Sequence, residues 1–430
     1  MASPRSAAAV ILVRRPTDPE VFWARRAAHM MFQGGFFAFP GGQLDPDEEV
    51  KVCAAREVAE EIGVRIDPNS LIDVGRWMTP AFSPRRFDTR FFLATCPAGE
   101  EPHIQNDEHD FGEWTRPKDA VAKWMEGQIL ASPPVLHALR CLSEGLDGIE
   151  PRMKAGPWAN GEPIPEIEMR PGIVLVPLRT PTLPPATHTN CYVIGGDEVV
   201  VIDPASPYEE EQVLLDRILE RRHIREIWLT HLHRDHVSGA NHLKQKRGLK
   251  IAAHPITARD LDGVIEVDRT FAENERLELR GRPGWDLHVL HTPGHARGHV
   301  CIFEQKNGSL ITGDLMAGLG TIVIDPPEGH MTTYFDSLKR MQALPVTALF
   351  PAHGPVMANA KSKIQEYLDH RLERENKILD AWQRGHHQPS AIVKDVYTDV
   401  SPAMHGLAER SVVAHLEKLR EEGKISWNAG

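Results

Sequence analysis

Short apolar runs separated by turn residues predict strands in both halves of the chain. In the first half, residues 8–14 and 22–26 have the composition of strands. In the second half, residues 190–194 and 199–203 flank a two-glycine turn, which predicts an antiparallel hairpin. Residues 227–230 form the next strand-like run. These strands alternate with helix-like segments, which indicates the α/β class.

Helical periodicity and boundary residues predict helices in two regions. One helix is expected to begin near Glu48, after the Asp-Pro start at residues 45–46, and to stop at Gly63. Residues 391–397 and 408–422 predict two more near the C-terminus. In the second of these, apolar residues recur at helical spacing and predict a packed core: Val412, Val413, Leu416 and Leu419.

Length and composition indicate a globular chain of several domains. At 430 residues it is too long for one ordinary domain and predicts two or three. A segment rich in proline, residues 152–171, is the best candidate for a linker. No apolar run approaches the length of a membrane span, so no membrane partner is expected. The net charge of −11 argues against strong non-specific binding to nucleic acid, although a local basic groove remains compatible with it.

The five cysteines are scattered and form no C-x-x-C pair. Their odd number and wide spacing argue against a disulfide framework. We therefore expect a reducing compartment, the cytoplasm, and cysteines that act as small apolar residues.

A dense group of potential metal ligands lies in the second half. The segment Thr230–His236, THLHRDH, carries three histidines and Asp235. Downstream, His295, Asp314 and His353 each follow a strand-like apolar run in a turn-forming context. Side chains of these types at tight spacing are how a loop surrounds a divalent metal.

The order of these four segments resembles the metallo-β-lactamase superfamily. The resemblance implies two metal sites bridged by Asp314 and a four-layer αββα sandwich. It assigns one site to His231, His233 and His295, and the other to Asp235, His236 and His353.

Ligands of only histidine and aspartate suit Zn²⁺, two ions in this domain, with Mn²⁺ and Fe²⁺ as alternatives. The metals would hold a bridging hydroxide as nucleophile and polarise an ester or phosphoryl group. Asp235 is expected to orient that hydroxide or accept its proton, and is thus a candidate catalytic residue.

A second motif, residues 42–64, reads GQLDPDEEVKVCAAREVAEEIGV. In a helix, Glu57, Glu60 and Glu61 would share one face, where their charges repel unless a cation neutralises them. Oxygen ligands of this kind suit Mg²⁺ bound to a diphosphate, and Mn²⁺ would serve as well. The segment matches the Nudix box at every fixed position. In that family, the residue corresponding to Arg56 orients the glutamates.

Residues 77–92, which follow the box, resemble the Nudix subgroup that contains coenzyme A and acyl-coenzyme A diphosphatases. This implies a small-molecule diphosphate substrate. Four arginines are candidate phosphate contacts, and Glu108 is a candidate additional base or metal ligand, with Asp107 and Asp110 as close alternatives. The arginines are Arg25, Arg26, Arg85 and Arg86.

The chain after His353 resembles the β-lactamase-like protein 2 group, whose members include endoribonucleases that act on single-stranded RNA. The run AGLGTI at residues 317–322 fits the same group. The tail resembles its small winged-helix domain, with residues 423–425 entering the wing. Basic and acidic residues are nearly balanced there, so the domain is expected either to wall the cleft or to contact RNA.

The expected fold is α/β: a Nudix α/β/α sandwich at residues 1–160, a metallo-β-lactamase domain at 165–360, and a helical, winged end domain at 361–430. We expect a bifunctional metal-dependent hydrolase that cleaves RNA and a nucleoside diphosphate derivative. Three alternatives stay open for the second half: thioester hydrolysis as in glyoxalase II, β-lactam hydrolysis, and a sensor pair in which one domain controls the other.

Overall fold

The computed structural model describes residues 3–80, 82–162, 164–281, 284–398 and 400–427. The chain divides into two compact units, Met1–Pro177 and Leu178–Gly430. Both mix strands and helices, so the α/β class expected from the sequence is confirmed.

The first unit is built on a seven-stranded mixed sheet of order β3-β2-β1-β6-β5, in which β4 pairs with β1 and β7 with β2. Its strands are β1 Arg5–Arg14, β2 Glu20–Arg26, β3 Phe37–Ala38, β4 Gly41–Gln43, β5 Ile72–Met78, β6 Phe87–Thr95 and β7 His109–Thr115. Its helices are α1 Val50–Ile62, α2 Pro117–Met125, α3 Pro133–Ser143 and α4 Ile149–Lys154.

Helix α1 covers the sheet with one apolar face. Val58 and Ile62 are fully buried against strands β1 and β6, because residues four apart lie on the same side of a helix. The helix begins two residues later than predicted, with Glu49 as its N-cap. It ends at Gly63, as predicted, where the φ of +74° is a left-handed conformation that glycine adopts without strain.

The segment predicted as a linker, residues 152–171, is largely packed on the first unit. Trp77 and Trp124 donate side-chain hydrogen bonds to the carbonyls of Pro157 and Met169, at 3.2 and 3.0 Å. The segment also contains the end of α4 and the strand β8 Ile167–Arg170. Proline content alone did not distinguish a free linker from an ordered segment that lies on a domain.

Two further sheets follow, and their strands from β10 onward lie in the second unit. The first has the order β14-β13-β12-β11-β10-β9-β8, with β9 Ile173–Arg179, β10 His188–Gly195, β11 Val199–Ile202, β12 Ile224–Trp228, β13 Ile251–Ala253 and β14 Arg269–Thr270. The second runs from β15 to β20 in chain order: β15 Arg276–Leu279, β16 Trp285–His291, β17 Val300–Glu304, β18 Ser309–Gly313, β19 Ala348–Pro351 and β20 Met357–Ala358. The predicted hairpin is confirmed as β10 and β11, which pair in antiparallel register.

Eight helices complete the described part of this unit. They are α5 Glu209–Ile218, α6 Arg234–Val237, α7 Ala240–Arg247, α8 Pro255–Asp260, α9 Met331–Gln342, α10 Ala360–Gln383, α11 Pro389–Val396 and α12 His405–Glu421. The two predicted C-terminal helices are thus confirmed as α11 and α12. Val412, Leu416 and Leu419 are fully buried in a core that these helices share with α10. Residues 423–425, which were expected to enter a wing, follow α12 without forming a strand, and residues 428–430 lie outside the described residues.

Within the described residues, no helix combines the length and apolar character that crossing a membrane requires.

Candidate functional site

The strand ends of the second unit bring the predicted metal ligands together. The histidine-rich loop follows β12, and Asp235 and His236 lie on the short helix α6. His295 follows β16, Asp314 follows β18 and His353 follows β19. Side chains far apart in sequence therefore meet at one edge of the two sheets.

Four of these residues form the first group. Their candidate ligand atoms all lie within 4.8 Å of one another: His231, His233, His295 and Asp314. Nδ1 of His233 is 3.0 Å from Nε2 of His231 and 2.9 Å from Nε2 of His295. Oδ2 of Asp314 is 3.4 Å from Nε2 of His295.

The second group, Asp235, His236 and His353, lies beside the first. Nε2 of His353 is 3.6 Å from Oδ2 of Asp235. The other oxygen of Asp314, Oδ1, lies 3.5 Å from Nε2 of His236 and 3.4 Å from Nε2 of His353. Asp314 thus directs one oxygen toward each group, which is the geometry of a bridging carboxylate.

The distances between these atoms match the spacing of ligands around a divalent metal. Tetrahedral ligands about 2.0–2.1 Å from a Zn²⁺ ion are separated by roughly 3.3 Å, close to the spacings observed here. Nε2 of His236 and Oδ1 of Asp314 are buried and have no hydrogen-bond partner. Because buried polar atoms normally have a hydrogen-bond partner, these two atoms fit the role of metal ligands.

Hydrogen bonds of the Nδ1 atoms fix the orientation of two of the histidine rings. Nδ1 of His295 donates to the carbonyl of Val323 at 2.7 Å, and Nδ1 of His353 donates to the carbonyl of His188 at 3.0 Å. A carbonyl can only accept, so Nδ1 carries the proton. Each ring therefore presents the lone pair of Nε2 to the site.

Asp203 orients the histidine-rich loop in the same way, through hydrogen bonds. Its Oδ2 accepts hydrogen bonds from Nδ1 of His236 at 2.8 Å and from the hydroxyl of Thr230 at 2.6 Å. Thr230 has used its proton, so it accepts from Nδ1 of His231 at 3.0 Å. The buried His299 also belongs to this layer: its Nε2 accepts from the backbone amide of Asp314 at 3.0 Å.

Burial and the neighbouring histidines keep His231 and His233 neutral. Burial, then the neighbouring histidines, lowers the pKa of His231 well below its usual value, and burial lowers the pKa of His233 to about 4. Burial alone would raise the pKa of Asp314, but His353 and His236 hold it well below its usual value. His231 and His233 are thus neutral imidazoles and Asp314 is an ionised carboxylate, the forms that bind metals. Against the effect of burial, the charge of Asp314 raises the pKa of His236 and of His353, so these two rings must give up a proton when a metal binds.

In the first unit, α1 carries the predicted glutamates. Arg56 donates to Glu57 and Glu60, both at 2.9 Å, and to Glu48 at 2.9 and 3.0 Å. The side chain of Glu60 is 57% exposed, whereas Glu57 and Glu61 point inward. The structure therefore separates Glu60 from the other two. At roughly 100° per residue, Glu60 and Glu61 lie on opposite sides of Glu57 around the helix, and Glu60 is on the side that faces solvent.

The two inward glutamates form a crowded acidic pocket. The amide of Gly41 donates to Oε2 of Glu61 at 2.9 Å. Burial, and then the charges of Glu57 and Glu108, raises the pKa of Glu61 to about 8. A β-carbon at Gly42 would lie 2.4 Å from Oε1 of Glu57, so only glycine leaves room for that carboxylate.

Buried carboxylates that repel one another fit a hard divalent cation. Among the described residues, no three ligand atoms of this acidic pocket come together as closely as the ligand atoms within each of the two histidine groups, which lie within 4.8 Å of one another. Glu57 is instead drawn toward Arg56.

A cavity of about 660 Å³ opens beside these glutamates. Glu57, Arg56 and four of the five predicted substrate contacts line it: Arg26, Arg85, Arg86 and Glu108. Its other wall is apolar and aromatic, from Phe39, Trp77, Phe87, Phe91 and Ile167. The cavity thus joins a cationic rim to an apolar wall next to the acidic helix.

Arg25, the fifth candidate, is not part of the cavity lining. It pairs with Asp110 at 2.6 Å, whereas its neighbour Arg26 faces the cavity and lies 3.7 Å from Glu108. Both lie on β2, where successive side chains point to opposite faces of the sheet. The sequence did not show which of the two faces the cavity.

His109 was not singled out in the sequence, although the structure places it beside the acidic pocket. The ring is buried, both nitrogens have no hydrogen-bond partner, and Nδ1 lies 3.9 Å from Oε1 of Glu61. Burial, then the charge of Arg26, lowers its pKa to about 4, so the ring is neutral near pH 7. A lone histidine at the start of a strand gives no motif that could have identified it.

Three known domain families match the chain. Residues 3–132 match the NUDIX domain, residues 184–353 the metallo-beta-lactamase superfamily and residues 389–430 the beta-lactamase associated winged helix domain. Both catalytic families are metal-dependent hydrolases, so fold and sites together define a hydrolase with two metal-dependent domains.

Relatives and a solved structure agree with this class. A beta-lactamase-like protein 2 homolog of Caenorhabditis elegans is 30% identical over 242 residues, which cover 55% of this chain and 80% of that protein. The atrochrysone carboxyl ACP thioesterase AgnL7 of Paecilomyces divaricatus is 27% identical over 281 residues, 62% of this chain and 85% of that protein. A beta-lactamase domain protein from Burkholderia ambifaria shares the fold, with a TM-score of 0.54 at 20% identity over 64% of this chain and 94% of that one. The chain belongs to the metallo-β-lactamase superfamily, and it carries an additional Nudix domain.

Proposed function

We propose that the second unit is a dinuclear zinc phosphodiesterase that cleaves single-stranded RNA. The observation that carries the proposal is Asp314, which directs one carboxylate oxygen to each of two adjacent histidine groups. We assign the ligands as His231, His233 and His295 for one ion and Asp235, His236 and His353 for the other. Mn²⁺ and Fe²⁺ are the alternative ions.

When bound, two such ions supply a water of lowered pKa and polarise the scissile phosphoryl group. The chain's own residues orient and protect this chemistry. Asp235 is one-fifth exposed, so its carboxylate is accessible to orient the attacking water or accept its proton. The carbonyls of Val323 and His188 keep His295 and His353 aimed at the site. RNA as the substrate is supported by the resemblance to the β-lactamase-like protein 2 group.

The test is cleavage of an end-labelled single-stranded RNA by the purified protein with Zn²⁺ or Mn²⁺. The matched control is the double variant Asp235→Ala/His236→Ala. Cleavage that disappears in this variant supports the proposal, since a contaminating nuclease would persist. Absence of cleavage with every metal overturns it.

Thioester hydrolysis is the second candidate, because a relative that aligns over 85% of its own length is named an acyl carrier protein thioesterase. The same dinuclear centre would polarise a thioester carbonyl. Acyl-coenzyme A and glutathione thioesters, assayed with the same double variant, distinguish this chemistry from phosphodiester hydrolysis. In this alternative, the Nudix domain would bind a nucleotide or acyl-coenzyme A as a regulatory module.

For the first unit we propose Mg²⁺- or Mn²⁺-dependent cleavage of a nucleoside diphosphate derivative. Glu57 and Glu61 would hold the ion, and Arg26, Arg85 and Arg86 would contact the phosphates. The apolar wall of the cavity supports a substrate with a large apolar or aromatic group beside the diphosphate, as in coenzyme A derivatives. A panel of ADP-ribose, NADH, coenzyme A and acyl-coenzyme A tests this, with Glu57→Gln as control. Binding without cleavage would leave a sensor domain.

We assign these activities to residues 1–160 and 165–360, with 361–430 as the winged-helix end domain. The five cysteines are unpaired, which supports the cytoplasm as the compartment.

A further inference from the structure

One segment of the second unit contacts residues of both metal groups. Residues 315–324, here called the 315–324 segment, directly follow Asp314. The amide of Gly318 donates to the carbonyl of His353 at 2.7 Å, and the carbonyl of Val323 accepts from Nδ1 of His295 at 2.7 Å. The position of this segment therefore sets the orientation of three proposed ligands on both sides of the shared carboxylate.

Helix α10 holds the 315–324 segment through side-chain hydrogen bonds. The hydroxyl of Tyr367 donates to the carbonyl of Ala317 at 2.7 Å and accepts from the amide of the same residue at 2.9 Å. One turn further along α10, the guanidinium of Arg371 donates to the carbonyl of Ile322. The next carbonyl along the chain is that of Val323, the partner of His295.

The burial of these two side chains makes their contacts effective. Arg371 is only 4% exposed, and its guanidinium carbon lies 5.3 Å from the ring centre of Tyr334. The hydroxyl of Tyr334 in turn donates to the carbonyl of Leu315 at 2.7 Å, next to Asp314. Nε of Arg371 has no hydrogen-bond partner, so the contact with the Ile322 carbonyl is a main polar contact of this buried guanidinium. Without the arginine, the Ile322 carbonyl would lose this buried donor.

We propose that Tyr367 and Arg371 are positioning residues for the metal centre, which they align through the 315–324 segment from helix α10. The end of the 315–324 segment would shift without them, and the hydrogen bond that orients His295 would weaken. The inference rests on the metal centre of the proposed function but not on its substrate. It gives α10, which leads into the end domain, a role in metal binding.

The neighbouring residue pair on the same helix provides a matched control. Arg374 is also a buried arginine, one turn from Arg371; it donates to the carbonyl of Val396 at 2.7 Å and lies 4.3 Å from the ring centre of Tyr397. These contacts fix α11 and do not involve the 315–324 segment. Arg374→Met and Tyr397→Phe therefore perturb the packing between α10 and α11 and serve as matched controls.

The experiment titrates the metal-free full chain with Zn²⁺ against a chromophoric chelator and records the visible absorption of the Co²⁺-substituted protein. We expect Arg371→Met and Tyr367→Phe to weaken Zn²⁺ binding about 10–100-fold, the usual effect of removing a group that orients a ligand. The Co²⁺ spectrum should change with it. Arg374→Met and Tyr397→Phe should leave both readouts as in the unaltered chain.

Equal Zn²⁺ affinity in the unaltered chain and in Tyr367→Phe overturns the inference, as does equal weakening in the test and control variants. Tyr367→Phe removes a single oxygen atom and carries the test if Arg371→Met does not fold. Failure of the unaltered chain to bind Zn²⁺ would be a different result, because it would remove the proposed metal centre itself.

Discussion

Asp203 accepts a hydrogen bond from Nδ1 of His236 at 2.8 Å, although the two residues are 33 positions apart. Asp203 follows β11 directly and has a φ of +50°, an uncommon backbone conformation for a residue other than glycine. The same carboxylate accepts from the amide and the hydroxyl of Thr230. One buried anion thus orients the loop that supplies most of the proposed ligands.

Loss of this anion should weaken metal binding rather than unfold the protein. We expect Asp203→Asn to lower the Zn²⁺ affinity about 10–100-fold, because an amide holds the ring of His236 less firmly and carries no charge. Chelator competition measures this, and Asp262→Asn, an exposed aspartate, is the control. Unchanged affinity would show that Asp203 serves only the loop backbone.

The two proposed sites should fail independently. We expect Asp235→Ala/His236→Ala to abolish hydrolysis by the second unit and to leave diphosphate cleavage unaltered, since each unit contains its own acidic or histidine group. Parallel assays of both activities on one preparation measure this. A joint loss in a folded variant would contradict separate sites.

The glutamates of α1 should differ in importance. Glu57→Gln and Glu61→Gln should lower diphosphate cleavage roughly 10²–10⁴-fold, the scale typical of a catalytic carboxylate. Glu60→Gln should cost less, because Glu60 is largely exposed and paired with Arg56. Steady-state rates at saturating Mg²⁺ measure the ranking, and equal losses at all three positions would contradict it.

The buried His109 should make the stability of the first unit depend on pH. Its pKa in the folded protein is about 4, below the 6.5 of an exposed histidine, so the unfolded chain takes up a proton first. The contribution of His109 to stability should therefore fall as the pH drops from about 6.5 to about 4, by at most about 1.4 kcal/mol per pH unit. Glu61, whose pKa is raised to about 8, contributes in the opposite direction as the pH drops from about 8 to about 4.5.

Hydrogen exchange of the β7 amides in the metal-free protein measures this effect. We expect His109→Met to remove the destabilisation at low pH, so that stability rises more, or falls less, as the pH drops through that window. The exposed His29→Met should leave the profile unaltered. An identical slope in His109→Met would assign the pH dependence to other groups.

Local pattern was sufficient to predict the proposed ligands and the acidic helix. Ligands such as His231, His233 and His236 lie within one short loop, and the glutamates recur at the spacing of a helical turn. The strands before His295, Asp314 and His353 were also readable as apolar runs. In each case the proposed ligands are close neighbours in sequence or directly follow a strand. Their position in the sequence was therefore enough to predict where their side chains lie.

Only the tertiary structure decided which distant groups complete the sites. Asp203, which follows β11, contacts His236, which follows the neighbouring strand β12. Arg371 contacts Ile322, 49 residues away in sequence, and His109 on strand β7 lies beside Glu61 on helix α1. Whether Arg25 or Arg26 faces the cavity depended on the register of β2. Such contacts follow from how sheets and helices pack, and a packed interior brings together residues that carry no mark of their proximity in the sequence.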